Sequence, residues 1–151
     1  MAEESKKFGC TVIVSSSDAA DHYEKYFDHQ VDYVVRGEGE ETLKELFSAL
    51  EKNLDISSVR GLAFRQDGQV KITPSRPVIR DLDTLPLPAW DLVDIESYRQ
   101  IWIRHHGYFS LNLATTRGCP FKCNWCAKPI YGNRYTSRSP AHVVNEIEFL
   151  L

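Results

Sequence analysis

Residues 117–126 read Arg-Gly-Cys-Pro-Phe-Lys-Cys-Asn-Trp-Cys and hold three of the four cysteines of the chain. Cys119, Cys123 and Cys126 follow the spacing C-x3-C-x2-C. Thiolates this close in sequence converge on one point, which suits a metal ion or a metal cluster. A structural zinc ion takes four protein ligands, commonly as two separated pairs. Three ligands on a 4Fe–4S cluster leave one iron open, and an open metal position is the mark of a catalytic centre. A zinc reading needs a fourth ligand, for which His22, His105 and His106 are the candidates. Unligated thiols in such a loop would oxidise readily.

The stretch TTRGCPFKCNWC, with Trp125 just before the last cysteine, resembles the signature of the radical S-adenosylmethionine enzymes. The resemblance implies that Cys119, Cys123 and Cys126 ligate a 4Fe–4S cluster. It implies that the open iron chelates the amino and carboxylate groups of S-adenosylmethionine, and that Trp125 lies near the adenine. The implied reaction is reductive cleavage of S-adenosylmethionine to methionine and a 5′-deoxyadenosyl radical, which takes a hydrogen atom from an unactivated carbon. An electron donor of flavodoxin or ferredoxin type is implied as a partner, with a small-molecule or lipid-like substrate. Arg117, Lys122 and Lys128 place positive charge in the same loop, which would ease reduction of an anionic cluster as well as solvate an exposed one.

The chain has 151 residues, 42% hydrophobic, with a formal net charge of −3. That is the composition of a globular domain, and it gives no electrostatic footprint for nucleic acid. No apolar run approaches the roughly 20 residues of a membrane span. MAEESKK at the start carries no apolar core, so no signal peptide is expected. With Cys10 alone and the rest clustered, the cysteines are not a disulfide framework, which suits a reducing cytoplasm.

The elements upstream read as α/β. Residues 11–14, Thr-Val-Ile-Val, predict a strand buried on both faces. Asp18 is the expected N-cap of a helix over 19–28, with Tyr23 and Phe27 on its inner face. A second strand is expected over 31–36, then a helix over 40–52 with Leu43, Leu46, Phe47 and Leu50 on one stripe. Asp67-Gly68 between two alternating runs, 61–65 and 69–73, signals a β-hairpin. Pro74, Pro77, Pro86 and Pro88 mark an extended connection in which Trp90 is expected to anchor by packing, with a substrate contact as the alternative. A short helix is expected over 94–100 and a strand over 109–114 leading into the cysteine loop. Ser139-Pro140 is an N-cap and N1 proline for a helix over 140–151, with Val143, Val144, Ile147, Leu150 and Leu151 inward.

The strand–SDAADH–helix–VDYVVRGEGEETL segment is similar to the end of the cobalamin-binding domain that precedes many radical S-adenosylmethionine barrels, and RDLDTLPLPAWDLVD to the linker after it. The fold expected is therefore α/β: the end of a flavodoxin-like parallel sheet over 1–53, a hairpin and proline-rich linker over 54–108, and the first β/α unit of a partial TIM-type barrel over 109–151. The resemblance places the cobalamin tail against the turns Ser15-Ser16 and Gly37-Glu38-Gly39. It implies methyl transfer, rearrangement or cyclisation as the outcome. Ser15-Ser16 stands where the family has Gly-Gly, and no D-x-H-x-x-G occurs to ligate cobalt. Three alternatives stay open: a radical S-adenosylmethionine enzyme without cobalamin, a structural zinc module, and a non-catalytic remnant.

Overall fold

The computed structural model describes residues 1–126, 130–131 and 133–151. By its contacts the chain divides into two compact units. One comprises Met1–Ile79 with Cys119–Asn133, the other Arg80–Gly118 with Arg134–Leu151.

The first unit is a mixed sheet of order β1-β2-β3-β4, with strands Ile13–Ser15, Tyr33–Val35, Leu62–Gln66 and Gln69–Ile72. β1 and β2 are parallel, with Ser15 opposite Val35, as an α/β crossover requires. β3 runs antiparallel to β2, pairing Val34 with Ala63, and the hairpin thereby continues the sheet. Asp67 and Gly68 both take positive φ, 52° and 75°, the conformation that joins two strands through a two-residue turn.

Alternation along β2 and β3 divides the core between the two faces. Val35, Leu62 and Phe64 join Leu46, Ala49 and Val59 on the side of α4 (Glu40–Glu51). Val34 and Ala63 join Ala19, Phe27 and Val31 on the other. β1 is an edge strand, so Ile13 and Val14 are half-buried where cover on both faces was expected. A short helix α1, Ala2–Lys6, precedes the sheet, and Lys6 pairs with Asp32, which also accepts the Val12 N–H.

Two helical readings shift. The helix expected over 19–28 is two, α2 (Ser17–Asp21) and α3 (Tyr23–Phe27), broken at His22. Its N-cap is Ser16, whose hydroxyl accepts the Ala19 N–H at 3.0 Å; Asp18 instead accepts from the Tyr26 hydroxyl at 2.7 Å. The inner face of α4 centres on Thr42, Leu46 and Ala49, which leaves Phe47 55% exposed. Thr42 is tolerated there because its hydroxyl donates to Arg60 O and accepts from Arg76 Nε.

The second unit holds α5 (Ile95–His106), the ribbon β5 (Thr116–Gly118) with β6 (Tyr135–Ser137), and α6 (Pro140–Leu150). Asp94 caps α5, and Gly107 ends it in the left-handed conformation, six residues beyond the expected end at 100. The expected strand over 109–114 is not one: among the described residues no strand pairs with it, and the ladder starts at Thr116. α6 begins as expected, with Ser139 accepting the His142 N–H and Pro140 at the first turn. Its expected inner stripe holds only in part, with Val143 and Leu150 half-buried. Glu146 is its one buried residue, while Val144, Ile147 and Leu151 are exposed.

Candidate functional site

The β5–β6 ribbon is the stem of the cysteine loop. Arg117 pairs with Thr136 and Gly118 with Tyr135, so Cys119 is the first residue beyond the ladder. All the cysteines are free thiols, with Cys119 half-buried and Cys123 and Cys126 exposed. The Cys126 N–H donates to Cys123 O at 3.2 Å, turning the chain between the last two. Trp125 is 90% exposed. Among the described residues no three His, Cys, Asp or Glu side chains lie close enough to hold a metal ion, so the structure does not gather the three thiols. The donor set suits a cluster in kind: three accessible thiols on one loop. Lys128 lies outside the described residues.

The base of the same stem is bound by a polar network that sequence reading missed. Arg138, one residue after β6, donates from Nη1 to Ala114 O and to Glu146, from Nη2 to His142 O and from Nε to His142 Nδ1. Its own N–H donates to Thr115 O at 2.9 Å. Glu146 accepts from Trp90 Nε1 at 2.9 Å. Asp83 accepts the Ser139 N–H at 2.9 Å and lies 3.4 Å from His142 Nδ1. The Ser139 contact, with His142 and Arg138 nearby, holds the Asp83 carboxyl below the usual range. Trp90, Ala114, Arg138, His142 and Glu146, with Arg117, Leu82, Leu85, Pro86, Pro88 and Asn112, line a cavity of about 270 Å³.

The proposed cobalamin-side turns meet at one sheet edge. Parallel pairing puts Ser15 beside Val35, and a Cβ on Gly39 would stand 3.9 Å from Ser15 Oγ and 3.7 Å from Val35 Cγ1. Gly37 takes φ +93°, which a side chain would strain. Two of the five residues carry structural work. Ser16 caps α2, and buried Glu38 accepts the Ile79 N–H. Arg36 at the same edge lies over the Tyr23 ring, 5.6 Å from its centroid.

No protein-family model matches the chain. It is 36% identical over 121 residues to an uncharacterized methyltransferase of Pyrococcus horikoshii, covering 80% of this chain and 25% of that protein. It is 38% identical over 121 residues to the anaerobic magnesium-protoporphyrin IX monomethyl ester cyclase of Synechocystis, covering 80% and 23%. The chain thus spans about a quarter of the length of these curated relatives. Among solved structures, the cobalamin-dependent S-adenosylmethionine radical enzyme OxsB with aqua-cobalamin superposes with a TM-score of 0.74 at 22% identity, covering 92% of this chain and 18% of that one. The radical S-adenosylmethionine methyltransferase TsrM of Kitasatospora setae, with cobalamin and a [4Fe-4S] cluster, gives 0.61 at 25%, covering 93% and 28%. The chain shares its fold with these two enzymes. In sequence the chain is similar to a methyltransferase and a cyclase, and in fold to a cobalamin-dependent S-adenosylmethionine radical enzyme.

Proposed function

We propose that this chain is the junction of a radical S-adenosylmethionine enzyme, in which Cys119, Cys123 and Cys126 ligate a 4Fe–4S cluster and Trp125 flanks the adenine of S-adenosylmethionine. The spacing C-x3-C-x2-C on a loop closed by a ribbon carries the reading. A bound cluster supplies the electron for reductive cleavage of S-adenosylmethionine and hence a 5′-deoxyadenosyl radical. The chain's own part is to present three thiolates and to hold the stem from which they leave. Arg117 and Lys122 lend positive charge to the loop.

The first sheet is the end of a cobalamin-type domain, with Ser15, Gly37 and Gly39 nearest the cofactor tail. The proposed domain, residues 1–53, supplies β1 and β2 of that sheet, and the hairpin of the connection over 54–108 extends it with β3 and β4. The reaction class is methyl transfer, rearrangement or cyclisation on a small or lipid-like molecule, with a flavodoxin- or ferredoxin-type donor. The enzyme works in a reducing cytoplasm, and no helix among the described residues is long and apolar enough to cross a membrane. A second reading, the same cluster chemistry without cobalamin, is favoured by Ser16 and Glu38, whose side chains are committed to Ala19 and Ile79.

Anaerobic reconstitution of the 151-residue chain with iron and sulfide tests the first reading. About four irons and four sulfides per chain are expected, with an electron paramagnetic resonance signal on reduction. Stoichiometric zinc without iron uptake would overturn it. Titration with hydroxocobalamin, read by visible absorption, separates the two readings of the sheet.

A further inference from the structure

We propose that Arg138 and Glu146 are positioning residues for the cysteine loop: their buried ion pair fixes the base of the β5–β6 stem, and with it the backbone from which Cys119 leaves. The consequence for a cluster rests on the function proposed above; the positioning itself does not.

The pair is deep, with side-chain exposures of 9% for Arg138 and 1% for Glu146. Taking both charges out of water is costly, and well-packed apolar residues in their place are often as stable. Stability alone therefore does not account for the pair. Its geometry does something an apolar pair cannot. The guanidinium is a rigid planar fork, and here all three nitrogens are used. One arm reaches back to Ala114 O, two residues before β5, while the others grip the first turns of α6. Together with the main-chain bond from Arg138 N to Thr115 O, they tie both strands at their open end.

The stem needs that tie. Each strand has three residues, and an isolated two-stranded ribbon is marginal in water. A site that binds a cluster must hold its ligands to within about 0.5 Å, which a fraying stem does not do. Glu146 fixes the fork in turn, and it is fixed by Trp90 from the proline-rich connection. Asp83 of the same connection holds Ser139. The connection is thus strapped across the base of the stem.

The test uses the full chain, metal-free and reduced under anaerobic conditions. Iodoacetamide labelling is read cysteine by cysteine by mass spectrometry, alongside amide hydrogen exchange. The double variant Arg138→Met with Glu146→Leu replaces the pair by apolar bulk and removes the bond to Ala114 O. Cys119 should then alkylate at least about tenfold faster, the loss expected for a hydrogen bond to a charged group, and the amides of β5 and β6 should lose protection. Cys10 and the amides of β2 and β3 should keep their parent rates. Parent-like rates at Cys119 and in the stem would overturn the proposal. Should the double variant also lose protection in β2 and β3, Arg138→Lys decides on the same readouts, since it keeps the charge and lacks the fork. A stem protected as in the parent then overturns the proposal. After reconstitution, the variants should broaden the resonance of the reduced cluster. Failure of the parent chain to take up iron would count against the cluster reading alone, because the thiol and amide rates are read without metal.

Discussion

The indole N–H of Trp90 donates to Glu146 Oε1 at 2.9 Å and so joins residues 56 positions apart. The tryptophan belongs to a stretch whose prolines read as an open connection, and the glutamate to the last helix. A carboxylate buried to 1% exposure has few other ways to be satisfied. Trp90→Phe keeps a six-membered aromatic ring and deletes the donor with its pyrrole. It should cost about 1.5–3 kcal/mol, the range for a hydrogen bond to a charged group. Urea unfolding followed by circular dichroism checks this. A midpoint equal to the parent's would show that water replaces the indole without loss.

Among the described glycines of the first unit the tightest is Gly61, with φ +80°. A Cβ there would lie 2.9 Å from Thr42 Oγ1 and 3.1 Å from Arg36 O. Thr42 cannot withdraw freely, because its hydroxyl is bonded to Arg60 O and Arg76. Gly61→Ala should destabilise the sheet unit by at least about 1–2 kcal/mol from the left-handed conformation alone. The variant's urea midpoint, followed by exchange of the β2 and β3 amides, is the measure.

Asp83 gives a pH signature. Its carboxyl is held below the ordinary value of 3.8, chiefly by the hydrogen bond from Ser139. A depressed folded pKa means that the contribution is present above the unfolded value and disappears as pH falls through the folded one. Asp83→Asn should therefore differ from the parent in melting temperature at neutral pH. The difference should shrink once the pH drops below 3.8. A gap that stays constant down to the acid limit would mean that the carboxylate charge is not the source.

The cysteines separate by role. Cys123→Ala should abolish iron uptake on reconstitution, and Cys119→Ala and Cys126→Ala should do the same, since three thiolates are the minimum for the cluster. Cys10→Ala should leave it intact, because Cys10 lies outside the loop. Iron and sulfide analysis of the four variants is sufficient. Uptake by Cys123→Ala at the parent level would assign the metal to other ligands.

What the sequence disclosed was local. The Asp67-Gly68 turn, the Ser139-Pro140 start and the 40–52 helix each depend on neighbours within a few positions, and each appears where expected. What it hid was non-local. Glu146 sits among Val143, Val144, Ile147 and Leu150, and no local signal sets it apart. Only Arg138 and Trp90 turn it inward. Residues 109–114 have a strand's composition, yet a strand is made by its partner, and none pairs with them among the described residues. The cap falls on Ser16, two positions before Asp18, and both side chains are good acceptors. The cysteine spacing was legible because chemistry, not packing, sets it. The stem clamp was not, because its members are spread from Asp83 to Glu146.

The two units should also differ in how they come apart. Of the buried apolar side chains among the described residues, Phe64, Leu46, Leu62, Val34 and Val35 are in the first unit, and Leu82 is the one that falls in the second. Burying a leucine or phenylalanine contributes about 1.5–3 kcal/mol, so the sheet unit gathers most of the hydrophobic stabilisation. The second unit relies on the Arg138–Glu146 network, and it leaves Tyr98, Ile101, Trp102 and Ile103 of α5 exposed. A cooperative unit opens at the free energy that its own contacts supply. Amides of α5, α6 and the β5–β6 ribbon should therefore exchange through an opening of lower free energy than those of β2 and β3. Calorimetry should show the second unit melting first. The exposed α5 face should make the partly open state associate, seen as concentration-dependent sedimentation that Ile101→Glu reduces. One sharp transition, with equal protection in both units, would mean that the chain unfolds as a single cooperative fold.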